Sequence, residues 1–412
     1  MAPSALNRAF PLVVAAILAT GCSFPNQPQA AGSPAPTGPE LTSPPPTPHS
    51  SSTPNQPPPT PTPTTPPALP STAATCAAPI AAGDNLILAT IAGGASIVLR
   101  DITDLSNPRT ICTFRSQVSP RFATASVVGY ADGGATSNSP GGIVRLDLAN
   151  LTQRTMASWA SGGFGSGLFD WSPDGQSLSY IAPSDTGLAW HLLGGDGFDR
   201  VLAALGTPPG RDVSPQDDGF SVSFSPDGRY LALVESFTGG SGETAPLQVR
   251  RVSDGGLVYS ATSGTMGVWA SVPSRLFFRS REGALSRWDP TQGVTQVQSS
   301  LRWSRPHASP DGRWVAYTVY DANGYPRVGL YGVQSNTFQL LSTQLRSGAQ
   351  FVNNTYVWYQ AEALCGNNPC GLSPTQPTGA TYLHDIAAAT ENASRVKALY
   401  DAWPRGRGGR GT

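Results

Sequence analysis

The chain has 412 residues, including 40 prolines and 45 glycines, and its 26 basic and 26 acidic side chains give a formal net charge of zero. Only 13% of the residues are charged and Lys397 is the only lysine, so we expect no basic face that binds nucleic acid. The prolines are concentrated in one stretch, and the segments must therefore be considered separately.

Residues 1–21 have the features of a secretory signal peptide. One positive charge, Arg8, precedes an apolar run over residues 10–19 that is too short for a transmembrane helix. The run ends in "LATGC", which resembles the lipobox of bacterial lipoproteins; the alternative is an ordinary signal peptide that ends at a buried cysteine. The resemblance implies that Cys22 carries lipid and holds the protein on a bacterial membrane, outside the cytoplasm and facing the periplasm or the cell surface.

Residues 22–75 are predicted to form a disordered linker rich in proline, threonine and serine. Eighteen prolines lie between residues 23 and 75, and Glu40 is the only charged side chain there. Such a segment cannot bury a core and favours polyproline II, whose rise of about 3.1 Å per residue gives a stalk of at most roughly 160 Å. The alternative, a series of ligands for proline-binding domains, suits a cytosolic protein better than an exported one.

Four cysteines remain once Cys22 is assigned to the lipid, and an oxidising compartment favours disulfides. Cys365 and Cys370 flank the turn-forming sequence "GNNP", which predicts a disulfide across that loop. Cys76 would then pair with Cys112. A zinc site is the competing interpretation, but it would require a second close cysteine pair or a nearby histidine.

Three similar segments reveal an internal repeat: "WSPDGQSLSYI" from Trp171, "FSPDGRYLALV" from Phe224 and "ASPDGRWVAYT" from Ala308. Weaker copies are "WASVPSRLFF" and "FVNNTYVWY", and the faintest are "FATASVVGY" and "IAAGDNLIL", the last beginning at Ile80. Together they predict seven turns, near residues 82, 124, 173, 226, 271, 310 and 353. Intervals of 39 to 53 residues between turns indicate stacked structural units.

Most units continue with two more short strands. Segments such as "GIVRLDLAN" and "RVGLYGVQS" alternate in period two and end in turn residues, and segments such as "RTICTF" follow them. We therefore predict an all-β chain forming a single β-propeller of seven four-stranded blades over residues 76–404, followed by a flexible Arg/Gly tail at 405–412. The only hint of helix is a possible turn within "ATENASRVKALYDA".

The sequence Ser-Pro-Asp-Gly is sufficient to specify a turn without any substrate. Proline presets φ, aspartate bonds to the nearby backbone, and glycine accepts positive φ. We therefore assign a structural role, not a catalytic one, to the repeated turn residues Pro173, Asp174, Gly175, Pro226, Asp227, Gly228, Pro310, Asp311 and Gly312. The aromatic residue before the turn is expected to pack between blades.

These turn segments resemble the repeats of TolB-like and WD-repeat-like β-propellers. The resemblance covers three blades clearly and the other four by spacing. It implies a disc with a central channel and a loop face that docks proteins or peptides without chemistry. No segment resembles the N-terminal domain of TolB or the hydrolase domain of prolyl oligopeptidases.

The sequence offers no catalytic site, no metal site and no cofactor motif. The four histidines are far apart in the sequence: His49, His191, His307 and His384. Asp212, Asp217 and Asp218 could supply oxygen ligands to calcium, but their spacing does not match a calcium loop. In "GFGSGLF" the serine is in the wrong register for a hydrolase elbow.

We expect a monomeric, lipid-anchored docking module for an envelope protein, a peptide or a wall polymer. Residues 129–142 and 366–379 are the recognition candidates, because loops on a rigid scaffold carry function. The alternative is an envelope enzyme, a glycan lyase or hydrolase with its site at the channel. Such an enzyme would collect carboxylates or histidines at one channel mouth.

Overall fold

The computed structural model describes residues 74–80, 83, 85–91, 96–116, 120–133, 140–160, 168–206, 220–235, 247–261, 264–270, 274–280, 283–301, 303–365 and 374–405. They all belong to one compact unit, Thr64–Thr412. The predicted signal peptide, the lipidation site Cys22 and nearly all of the predicted linker lie outside the described residues.

The described residues form 29 β-strands and no helix. The first group is β1 (Thr75–Cys76), β2 (Leu86–Ile91), β3 (Ile97–Asp101) and β4 (Arg109–Phe114). The second group is β5 (Arg121–Thr124), β6 (Val127–Gly133), β7 (Gly141–Asp147) and β8 (Gln153–Trp159). The third group is β9 (Phe169–Trp171), β10 (Leu178–Ser184), β11 (Gly187–Leu193) and β12 (Asp199–Gly206). The fourth group is β13 (Phe220–Phe224), β14 (Tyr230–Glu235), β15 (Leu247–Arg251) and β16 (Leu257–Ala261).

The chain continues with three more groups and a final strand. The fifth group is β17 (Gly264–Ala270), β18 (Arg275–Ser280), β19 (Leu285–Asp289) and β20 (Gly293–Gln298). The sixth group is β21 (Trp303–Ala308), β22 (Trp314–Tyr320), β23 (Pro326–Gly332) and β24 (Thr337–Leu340). The seventh group is β25 (Arg346–Phe351), β26 (Tyr356–Leu364), β27 (Thr375–Asp385) and β28 (Thr390–Ser394), and the chain ends with β29 (Val396–Trp403).

These strands build seven antiparallel blades, which confirms the predicted seven-bladed β-propeller. Blades 2 to 7 each use four consecutive strands, from β5–β8 to β25–β28. A single parallel pairing between β14 and β17 links blades 4 and 5. Blade 1 is made of β2, β3, β4 and the C-terminal β29, with the short β1 added outside β4.

Blade 1 differs from the sequence prediction in its inner strand. The segment from Ile80 was expected to supply it, but Ile80 N donates to Leu148 O in blade 2 at 2.8 Å, and β29 pairs with β2 instead. The segment "ATENASRVKALYDA" supplies β28 and part of β29, so the suggested helical turn is wrong. The physical reason is that β29 pairs with the edge of β2 that would otherwise stay open, which joins the two ends of the propeller in one blade.

The core is divided among the interfaces between blades. Among the described residues, seven apolar clusters occur, and each joins one pair of neighbouring blades. Trp171 lies between blades 2 and 3, and Phe224 lies between blades 3 and 4. The prediction that the aromatic residue before the turn packs between blades is therefore confirmed for both.

Antiparallel order defines two faces of the propeller. The three "SPDG" turns join the inner strand to the second strand in blades 3, 4 and 6, so we call that side of the propeller the turn face. The second strands end, and the third strands begin, at the opposite side, which we call the loop face. β6 ends and β7 begins at the loop face, as do β26 and β27. The two predicted recognition segments therefore attach to the same face.

Candidate binding face and central channel

The repeated turns have one common geometry. Ser172 Oγ donates to Asp174 Oδ1 at 2.5 Å, and the equivalent serine-to-aspartate bonds are 2.6 Å in the other two copies. The glycine of each turn has a φ between 67° and 71° and donates its N–H to the carbonyl of that serine. The Ser172 hydroxyl, more than any other group, lowers the pKa of Asp174. All of these polar groups bond within the turn itself.

All three described cysteines are disulfide-bonded. Cys76 and Cys112 form a disulfide that joins β1 to β4, which confirms that predicted pair. A structural disulfide indicates an extracytoplasmic location. Cys365 is also disulfide-bonded, and Cys370 lies outside the described residues. Its pairing with Cys370 stays a prediction, and Cys22 also lies outside the described residues.

Polar side chains on the inner strands bridge neighbouring blades along the central channel. Phe122 N donates to Asp401 Oδ2 at 2.7 Å, and Phe224 N donates to Asp170 Oδ2 at 2.9 Å. In the same way, the N–H of the inner-strand residue Phe351 donates to Nδ1 of a histidine, His307, in the preceding blade at 3.2 Å. Each acceptor therefore satisfies a buried backbone donor of the next blade.

Two arginines complete this channel cluster. Arg405 forms an ion pair with Asp170, and its Nε lies 3.6 Å from Asp401 Oδ2. Arg121 Nη1 lies 3.9 Å from Asp401 Oδ1. Burial acts to lower the pKa of Arg405, but the two carboxylates outweigh it and the pKa is raised. Arg405 was assigned to the flexible tail, yet its side chain is only 13% exposed; residues 406–412 lie outside the described residues.

His307 is held neutral inside this cluster. Burial, together with the charges of Arg121 and Arg405, lowers its pKa to about 3. Its Nδ1 already accepts the Phe351 N–H, so a proton there would place two donors against each other. The cluster thus holds two carboxylates, two guanidinium groups and a neutral imidazole.

The channel cluster contains the kinds of side chain that an enzyme site needs, but these side chains are not accessible to a substrate. Asp170, His307 and Asp401 are 7%, 4% and 2% exposed, and each is occupied by a bond to the next blade. A substrate would have to displace these bonds and the arginine pairs. The arrangement is suited to holding the blades in register.

The other two described histidines lie in strands and have local partners. His191 stacks on Tyr180 with centroids 4.8 Å apart, and its Nδ1 lies 3.0 Å from Asp199 Oδ2. His384 Nδ1 lies 3.2 Å from the hydroxyl of Tyr359. Within the described ranges, no three histidine, cysteine or acidic side chains are arranged to hold a metal ion. His49 and the acidic group at 212–218 fall outside those ranges.

A pocket of about 230 Å³ opens on the loop face between blades 6 and 7, and we call it the blade 6–7 pocket. Its lining includes Arg305, Tyr320, Pro326, Ser347, Gln360, Glu362 and Pro377. Ser347 Oγ donates to Glu362 Oε1 at 2.5 Å, and Gln360 Nε2 donates to Ser347 Oγ at 3.0 Å. Cys365 N donates to Pro374 O at 3.0 Å, which holds β26 and β27 together beside the pocket.

Sequence reasoning identified the recognition segment 366–379, which contains the pocket residue Pro377, but it gave no role to the other pocket residues or to the channel residues. Asp170 could have been found, because it directly precedes the Trp171 that begins a repeat, at the position that His307 occupies before Ala308. Arg405 and Arg305 gave no such signal. The pairing of Arg405 with Asp170 depends on a blade that is distant in the sequence, and the placement of Arg305 depends on the packing of blade 6 against blade 7.

A second cavity of about 450 Å³ lies between blades 7 and 1, where the ring closes. Its lining includes the apolar side chains Trp358 and Leu383 from blade 7 and Ile87 and Leu399 from blade 1. Arg100 and Arg395 also line it.

Comparison with solved structures agrees with the fold. The chain is similar to TolB from Acinetobacter baumannii, with 18% identity, a TM-score of 0.40 and 61% of each chain covered. It is similar to a prolyl endopeptidase, with 10% identity, a TM-score of 0.50, and 75% of this chain and 46% of that chain covered. It is also similar to an oligogalacturonate lyase in complex with manganese, with 10% identity, a TM-score of 0.43, and 76% and 84% covered.

These similarities concern the propeller fold alone. The chain spans about three fifths of TolB and under half of the endopeptidase. No protein-family model and no curated protein sequence matches the chain. A search of the described residues for a helix able to cross a membrane finds none.

Proposed function

We propose that this protein is a lipid-anchored extracytoplasmic docking module that binds a protein, peptide or cell-wall partner through its loop face. The observation that carries the proposal is that both recognition segments attach to the loop face, where the blade 6–7 pocket also opens. A rigid ring that presents several loops on one side suits recognition.

The burial of the channel side chains favours a docking function over an enzymatic one. An enzyme needs a side chain that can reach a substrate, whereas Asp170, His307 and Asp401 are buried and bonded to the next blade. We expect their substitution to disturb the packing of neighbouring blades and not to remove a reactive group. A glycan lyase or hydrolase remains the competing function that the experiment must test.

The proposal is tested by crosslinking on intact cells followed by pull-down. One variant replaces residues 134–139 with two glycines and changes Asn367 and Asn368 to alanine, which keeps Cys365 and Cys370. We expect it to fold normally and to lose one specific envelope partner. The matched control is Phe198→Ser, because Phe198 is 63% exposed and lies at a turn between β11 and β12 on the turn face.

The outcomes separate the alternatives. Partner capture that survives the loop changes but is lost in Phe198→Ser would overturn the loop-face assignment. Cleavage of a wall glycan by the purified protein, abolished by Asp170→Asn in a folded variant, would establish the enzyme instead.

Cys22→Ser tests the lipid anchor in the same cells. We expect the protein to leave the membrane fraction, and unchanged retention would contradict lipidation.

A further inference from the structure

The blade 6–7 pocket contains an arginine in a backbone conformation that glycine would adopt more easily. Arg305 has a φ of 48°, within a register irregularity of β21 between Ser304 and His307. β25 has the same irregularity one blade later, and there the equivalent residue is Gly348, with a φ of 70°. The left-handed region costs free energy for any residue with a Cβ, so the backbone conformation at this position favours glycine over arginine.

The guanidinium of Arg305 has no partner among the described residues that would explain its presence. The side chain is half-buried, and it makes no hydrogen bond or ion pair with any residue that the structure describes. Its Nη1 lies over Gly348, 3.8 Å from the place a Cβ would occupy, next to Gln360. Glu362 lines the same pocket, but one of its oxygens already accepts bonds from Ser347 and Gln360. An unpartnered guanidinium in a pocket attracts a carboxylate, with which it forms two parallel hydrogen bonds.

The rest of the pocket limits what carries that carboxylate. Tyr320, which is 45% exposed, Pro326 and Pro377 provide apolar walls beside the charge. A volume of about 230 Å³ lies below the roughly 300–1,000 Å³ of ordinary small-molecule sites. One residue at a chain end fits such a space, with its side chain on the apolar walls and its carboxylate at the arginine.

We infer that the blade 6–7 pocket binds the C-terminal residue of a peptide or protein partner, with Arg305 holding the terminal carboxylate. This inference deepens the proposed docking function and rests on it, because it names the chemistry of the partner on the loop face. Capture of a terminal carboxylate is an established form of peptide recognition.

The first test uses N-acetyl-leucine and its C-terminal amide as probes with the full mature chain. Binding is followed by nuclear magnetic resonance of the arginine side-chain nitrogens and by calorimetry. We expect the acid to bind at least tenfold more tightly than the amide and to shift the Arg305 signal. Equal affinity for both probes would overturn the role of the carboxylate, and binding of galacturonate in place of N-acetyl-leucine would overturn the peptide assignment.

The second test separates recognition from structure with Arg305→Gly. Since glycine accepts a φ of 48° without strain, the variant should melt no lower than the parent protein and should lose binding of N-acetyl-leucine by at least tenfold. Arg154→Gln removes an exposed arginine of blade 2 and should leave binding unchanged. A variant that melts lower and still binds would mean that Arg305 is a structural residue.

Failure of this inference can be distinguished from failure of the docking function. If Arg305→Gly still captures the partner that the loop variant loses, the docking function holds and the carboxylate site does not. If both variants capture the same proteins as the parent, the assignment of partner binding to the loop face is wrong.

Discussion

At the scale of single residues, the position within a blade decides what a side chain does. Two aspartates, Asp170 and Asp401, and one histidine, His307, each lie near the end of an inner strand and accept an N–H from the next blade. Gln350 occupies the corresponding place in blade 7 and is 2% exposed. The requirement common to these positions is a buried hydrogen-bonding group, which explains why no repeated letter revealed them.

His307 should make stability depend on pH. The folded state holds it neutral, with a pKa of about 3, whereas the unfolded chain takes up the proton near pH 6.5. Protons therefore favour the unfolded state, and the free energy of unfolding should fall by about 1.4 kcal/mol per pH unit from pH 6.5 towards pH 3 because of this group.

Urea unfolding at pH 7.5 and pH 5 checks this prediction with His307→Gln as the comparison. Glutamine can accept the Phe351 N–H but does not titrate, so the loss between the two pH values should be about 2 kcal/mol smaller in the variant. Parallel losses in both proteins would show that His307 does not titrate on unfolding.

At the scale of elements, strands were predicted well where both alternation and turn residues were present. "RTICTF" coincides with β4, and "GIVRLDLAN" contains most of β7. Period-two alternation identifies strands in which one side chain in two is buried. The inner strands are short, and β9 has only three residues, so their partners define them more than their own pattern does.

Gly129 in β6 allows the close approach of blade 3. A Cβ at this position would overlap the indole nitrogen of Trp171 and come within 2.9 Å of Phe169 Cε2. Because both aromatic side chains are buried, Gly129→Ala should lower the free energy of unfolding by about 1–3 kcal/mol. Denaturant unfolding gives the value.

A double-mutant cycle with Trp171→Phe provides the control. The smaller ring removes the nearest contact, so Gly129→Ala should be less destabilising in that background than in the parent protein. Strictly additive effects would indicate that the alanine is disfavoured for another reason.

At the scale of the whole molecule, the ring is closed by strands from both termini. β29 supplies the inner strand of blade 1, and Arg405, just beyond it, pairs with Asp170 of blade 3 as well as with Asp401. The pair with Asp170 therefore ties the end of the propeller to blade 3, which is formed by the N-terminal half of the chain.

The disulfide strengthens the same closing blade from the outside. Cys76 and Cys112 are 36 residues apart, and removing such a link costs about 2–4 kcal/mol through the entropy of the unfolded chain. Cys76→Ser with Cys112→Ser should lower the unfolding midpoint in guanidinium accordingly, with no reductant present. An unchanged midpoint would show that pairing of β1 with β4 needs no covalent link.

The sequence by itself determined the class of fold, the number of blades, the Cys76–Cys112 pair and the aromatic residues that pack between blades. The fold class and the packing of the aromatic residues follow from local turn chemistry and period-two burial, and the number of blades follows from the spacing of the turns. The Cys76–Cys112 pair follows from the number and positions of the cysteines. The closing strand, the channel cluster and the blade 6–7 pocket were decided only by the tertiary structure. Arg405 meets Asp170, which lies 235 residues away, and Arg305 faces the next blade, because ring closure creates neighbours that no local pattern encodes.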